Sequence, residues 1–323
     1  MGTRASRYLA SSGPPSNQSD TVNARASVSF FSSSDHTRSQ RDKAPAARAN
    51  FVYVDGRRFH GAENTPYMLP NDDEEADRLH EQHFALCALI GNNYVADQHG
   101  MRRVLDVGTG PGAWIMDMAT EFPACEFIGV DVSPIQPVVV MPSNARFEIT
   151  NILEGLCFAD NAFDLVHARL LMAAMPKTCW PDLIADMARV CTSDGVVELC
   201  ETDAIICNAG PVAEQVNGWL LAVCNMRVID LSHVWGIPLM MQEAKLQVEK
   251  RVKYSMPIGE WCGPLGKVGL SGLVGIINGM RFSIMQACGV TDEHIDTLIA
   301  ALPEEVNQRQ SHWTIELTVG RKL

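Results

Sequence analysis

From residue 102 onward, short apolar runs alternate with stretches whose apolar positions recur every three to four residues. The runs Arg103–Val107, Glu126–Val130, Arg146–Ile149, Phe163–His167 and Val196–Glu201 have the length and bounding turns of strands buried on both faces. Pro111–Glu121 and Pro181–Val190 carry helical periodicity between them. This alternation predicts a parallel sheet covered by helices on both sides. Upstream, Leu79, His83, Leu86, Cys87 and Ile90 share a helical face, and Asn71 followed by four acids reads as an N-terminal cap. Glu74 sits in the capping-box position, so an amphipathic helix is predicted over 72–90. After residue 203 helical signals dominate, at about 211–232, 240–249, 268–288 and 291–309, with further strands at Gln247–Tyr254 and Thr314–Val319. Seven strands in all are expected, with a helical insertion after the fifth and closure of the same sheet.

Composition narrows the function. Hydrophobic residues make up 46% and charged residues 20% of the 323 positions, so most of the chain should fold. A net charge of −12, from 26 basic and 38 acidic residues, argues against direct nucleic-acid binding through charge. Residues 1–50 differ: they are rich in Ser, Ala and Arg, carry seven basic against three acidic residues, and are expected to be a disordered tail. Three sharper readings of that tail compete: Met1–Ser6 fits a loose myristoylation pattern, the Arg/Ser content resembles a transit peptide, and Arg38–Lys43 resembles a nuclear signal. Ten scattered cysteines with no CxxC pair predict reduced thiols, no metal site, and a cytoplasmic or nuclear location. The longest apolar run, Val268–Met280, is too short to span a membrane, and a soluble protein is expected.

The strongest local signal is Val104–Trp114, a strand running into a glycine-rich turn and then a helix. Gly108, Gly110 and Ala113 satisfy the dinucleotide pattern, while Asp106, Gly108, Gly110 and Gly112 complete acid-x-Gly-x-Gly-x-Gly. A pyrophosphate wants amide donors and no neighbouring carboxylate. S-adenosylmethionine (SAM) carries an ammonium and a sulfonium, so Asp106 favours it, and Pro111 removes a donor that an anion would miss. Asp131 ends the next strand, 25 positions on, where an acid accepts two ribose hydroxyls. Asn151, after the third strand, is placed either for the adenine edge or as a turn residue, and Asp164 reads as architectural.

Val104–Trp114, Ile128–Pro137, Phe163–Met172 and Val197–Glu201 resemble the class I SAM-dependent methyltransferases. With Asp55–Gly61 and Tyr67–Glu75, followed by Arg78 and His83, the chain resembles more narrowly the fungal LaeA-like group, named for a regulator of secondary metabolism. The resemblance covers about 51–203 closely and the remainder only in plan. It departs at Thr150-Asn151, where the group often has two acids. It implies the Rossmann-like α/β sheet of that class and SAM as cofactor, held by Tyr67, Asp106, Gly108, Thr109, Gly110, Gly112, Asp131, Val132, Asn151 and Ile152. The expected organisation is a tail (1–50), a segment and helix covering the SAM site (51–100), the SAM-binding core (101–203), and an acceptor-binding insertion with closing strands (204–323).

Methyl transfer from a sulfonium needs mainly alignment, with a base only for a poorly ionised or protonated acceptor. His167, Arg169 and Glu201 lie at strand ends where an acceptor approaches: His167 as base or structural histidine, Arg169 as carboxylate anchor or helix ion pair, Glu201 as a further candidate. Gly263–Gly279, with Trp261, reads as a cover or as close helix packing; Trp235, Leu239, Met240 and Met241 as an acceptor pocket or as core. The expected function is methylation of a small secondary metabolite at O, N or carboxylate (the EC 2.1.1 class). The alternative is a SAM-binding regulator acting through protein partners, and a NAD-dependent dehydrogenase stands third.

Overall fold

The computed structural model describes residues 51–62 and 65–323. The readings of the 1–50 tail lie outside the described residues. The chain opens with a hairpin of β1 (Phe51–Val54) and β2 (Arg57–His60). Its turn residues Asp55 and Gly56 have φ of 48° and 79°, the tight mirror-image turn that matches the twist of paired strands. Helix α1 (Asp73–Ile90) follows, capped by the Asp72 carboxylate on the Glu75 amide at 3.1 Å. The same carboxylate takes two hydrogen bonds from Arg57, at 2.7 and 2.9 Å, and so ties the hairpin to the helix.

The main sheet then builds as β3 (Arg103–Val107), α2 (Ala113–Glu121), β4 (Glu126–Asp131), β5 (Ala145–Ile149), β6 (Phe163–Arg169), α3 (Trp180–Val190) and β7 (Cys191–Glu201). Next come α4 (Pro211–Met226), α5 (Ile237–Glu243), β8 (Leu246–Pro257), α6 (Gly263–Gly279), α7 (Arg281–Cys288), α8 (Asp292–Arg309) and β9 (His312–Lys322). The order across the sheet is β5-β4-β3-β6-β7-β9-β8, parallel except for β9, which runs antiparallel to both neighbours. Strand order reverses beside β3, so β3, β4 and β6 present their carboxyl ends to one crevice, where open α/β sheets bind ligands.

The central strands are apolar because both faces are covered. Phe127, Ile128, Leu165 and Val166 are fully buried, each contributing about 1.5–3 kcal/mol in apolar transfer terms. The helical material comes in two pieces: α4 and α5 precede β8, while α6–α8 lie between β8 and β9. The helix expected at 240–249 stops at Glu243, because Lys245 takes a left-handed φ of 62° and β8 starts at Leu246. The long helix expected at 268–288 starts at Gly263 and breaks at Met280 into two. No single helix among the described residues is long and apolar enough to cross a membrane.

Candidate functional site

The turn after β3 is built by its own backbone. Gly108 and Gly112 hold φ of 71° and 86°, a region that side chains resist, and a Cβ on either would collide with Leu171 or Phe147. The amides of Gly108 and Thr109 both donate to the Val130 carbonyl, at 2.9 and 3.0 Å, and Gly112 donates to the Thr109 carbonyl at 3.0 Å. Gly110 donates to Asp131 Oδ2 at 2.8 Å, and Pro111 has no amide hydrogen. The turn from 108 to 112 therefore keeps no free amide for a phosphate. It carries a carboxylate instead, which suits a cationic ligand.

Asp131 ends β4 with its other oxygen on the Ser133 amide at 2.8 Å. Burial raises its pKa, and the two amide bonds oppose that shift. Asp106 in β3 lies in register with His167 in β6, and Asp106 Oδ1 accepts from His167 Nδ1 at 2.7 Å. Trp114 at the start of α2 stacks on the His167 ring, centroids 3.9 Å apart and planes at 3°. With Nδ1 committed to the carboxylate, His167 Nε2 is the ring nitrogen left without a protein partner among the described residues.

A cavity of ≈ 220 Å³ opens over these strand ends. Tyr67, Asp106, Gly108, Thr109, Gly110, Asp131, Val132, Asn151 and Ile152 all line it; Gly112 does not and serves as the left-handed cap of α2. Asn151 spends its side chain locally, accepting from the Leu153 amide at 3.1 Å and donating to Glu154 at 3.0 Å. Arg78 also lines the cavity, paired with the buried Glu75 at 2.6 and 2.8 Å; its Nη1 is buried without a partner, as is Thr109 Oγ1. Burial disfavours the Arg78 cation, but the Glu75 bonds outweigh it and the pKa rises. These groups fit SAM: Asp131 for the ribose, a carboxylate-bearing turn for the cationic end, and a spare guanidinium N–H for a carboxylate.

Residues 104–195 match a family described as "Methyltransferase domain". The chain is 36% identical over 156 residues to the secondary metabolism regulator laeA of Coprinopsis cinerea, which is 46% of this chain and 38% of that protein's length. Residues 104–195 thus carry a methyltransferase domain, and the chain is similar to LaeA-like proteins over about half its length. It is also 27% identical over 288 residues to the methyltransferase pytC of Aspergillus terreus, covering 83% of this chain and 86% of the relative. A solved phosphoethanolamine N-methyltransferase 2 of Haemonchus contortus in complex with SAM is 16% identical, with a TM-score of 0.45 over 75% of this chain and 57% of that one. The methyltransferase-domain match and the cavity's lining agree on SAM as the cofactor.

The acceptor-side candidates separate. His167 and Arg169 line the cavity; Glu201 does not. Its carboxylate accepts from the Leu171 and Met172 amides at 2.8 and 3.2 Å, holding the short helix Leu171–Ala173 that forms part of the wall. Burial pushes the Glu201 carboxyl up to about 8. Arg169 forms no ion pair with a helix acid among the described residues; it donates to His83 Nδ1 at 3.0 Å. An arginine can only donate, so His83 carries its proton on Nε2 and gives it to Asp117 at 2.9 Å. Burial, then the Arg169 charge, lowers the His83 pKa and keeps that ring neutral.

The cavity is also lined by residues that sequence reasoning had not singled out for the site, among them Met172, Ala173, Met256, Trp313 and Ile315. Residues 263–279 form a helix that supplies Val268, Gly269, Gly272 and Ile276 to the same lining. Of the two readings of Trp235, Leu239, Met240 and Met241, the core reading holds for the methionines, and none of the four lines the cavity. Met240 and Met241 are packed into the core with Ile184 and Met187, Leu239 is exposed, and Trp235 bonds to Asp203. The Glu75–Arg78 pair had one available signal, opposite charges three apart on a predicted helix.

Proposed function

We propose that this protein transfers the methyl group of SAM to a small acceptor with a largely apolar body. The observation that carries the reading is a single cavity with two unlike walls: carboxylates and the glycine turn on one, Met256, Ile276, Trp313 and Ile315 on the other. SAM supplies an activated methyl group. Asp131 and the turn hold it, beside the apolar residues of the same cavity. Where the acceptor is a hydroxyl, His167 Nε2 takes its proton, while Asp106 stabilises the imidazolium and Trp114 keeps the ring in plane. Where it is a carboxylate, no base is needed, and the cavity-facing Arg169 anchors the anion.

A second reading is favoured by the kinship to regulators: a SAM-binding protein acting through partners on secondary-metabolism gene expression. Ten cysteines scattered without a CxxC pair support a cytoplasmic or nuclear site for either role. Methyl-labelled SAM incubated with the purified chain and a fungal extract, then split into small-molecule and protein fractions, separates the two. Label in small molecules supports the enzyme reading. Label confined to protein, or SAM bound with nothing labelled, supports the regulator.

A further inference from the structure

Six glycines punctuate α6, at 263, 266, 269, 272, 275 and 279. Five have a reason in the protein itself. Gly263 has a left-handed φ of 64°; a Cβ on Gly266 or Gly269 would run into the carbonyl of Gly259 or Pro257. Gly275 lies against the Arg78 side chain, where a Cβ would be 2.7 Å from Cδ, and Gly279 lies against Pro70 at 3.0 Å. Gly272 is different. It has an ordinary helical φ, and a Cβ there would meet no atom within 4 Å. A mid-helix glycine costs about 1 kcal/mol relative to alanine, and nothing in the packing of the described residues requires it at 272.

What lies in front of Gly272 is the cavity. Val268 and Ile276 sit one turn to either side on the same helix face, with Met256, Trp313 and Ile315 on the facing strands. Met172, Ala173, Ile276 and Trp313 also line a second hollow of ≈ 50 Å³. Its one polar side chain, Asn217, is occupied by the backbone N–H and C=O of Ile206. This half of the cavity thus recognises hydrocarbon and offers little to a charged group.

We propose that Gly272 is a specificity-determining residue: its missing side chain keeps open the space that receives the apolar body of the methyl acceptor. The proposal rests on the methyltransferase reading above. It is tested with the full chain carrying Gly272→Ala or Gly272→Leu. Both variants should melt no lower than wild type and bind SAM with a dissociation constant within twofold, by calorimetry. Label transferred from methyl-labelled SAM to the small-molecule fraction of a fungal extract should fall at least tenfold in Gly272→Leu, or move to slimmer products. Gly272→Ala should show a smaller change in the same direction, and suffices if the leucine variant does not fold. Unchanged products at an unchanged rate in the folded leucine variant would overturn the proposal, as would a tenfold loss of SAM affinity, which would assign the space to the donor. A wild type that binds SAM but labels no small molecule removes the enzyme reading itself, and the proposal with it.

Discussion

Asp131 both orders the glycine turn, through Gly110 and Ser133, and lines the cavity, so one carboxylate sets the loop and faces the space beside it. Glu201 does only the first kind of work, on Leu171 and Met172. Its carboxyl, pushed up to about 8 by burial, titrates above the unfolded chain's value near 4.5. Between those values the folded state holds a proton that the unfolded state has lost, so this group's contribution to stability falls as pH rises from about 5 to about 8. Denaturant unfolding at pH 5.5 and pH 8 should show wild type weaker at the higher pH, and Glu201→Gln should flatten that dependence. A slope unchanged by the substitution would assign the pH effect to other acids. Asp106 and Asp131 were legible in the sequence because a strand end fixes where its last side chain points. The His167–Trp114 stack and the His83–Arg169 bond were not, since each partner comes from an element whose placement only the fold supplies.

At the level of elements, β3 was readable residue for residue, because a buried parallel strand bounded by a glycine turn has few alternatives. The β1–β2 hairpin went unread although Asp55-Gly56 between two four-residue strands is a strong turn signal. The 240–249 segment misled because its helical and strand patterns overlap, and only the left-handed Lys245 divides them. Helix α6 lies close on β8 through Gly269, at a distance set by the Pro257 carbonyl. Gly269→Ala should therefore destabilise by about 1–3 kcal/mol in chemical denaturation, despite alanine's better helix propensity. A gain in stability would mean that α6 can move away from β8 at no cost.

Across the whole molecule, the cavity over the strand ends is also lined by segments far apart in sequence: α1 before the core, and α6 and β9 after it. That is why the glycine turn and its carboxylates could be read from residues 104–152, whereas the apolar lining from α6, β8 and β9 required the folded chain. It also predicts that SAM stabilises the protein as a whole, by about 2.7 kcal/mol at a hundredfold excess over the dissociation constant. The most direct test is a calorimetric titration of SAM into wild type and Asp131→Ala. One-site binding in wild type, weakened roughly 10–150-fold for each charged hydrogen bond lost in the variant, is the expected result. Equal affinity in the two proteins, or no binding to wild type, would contradict the assignment of this cavity to SAM.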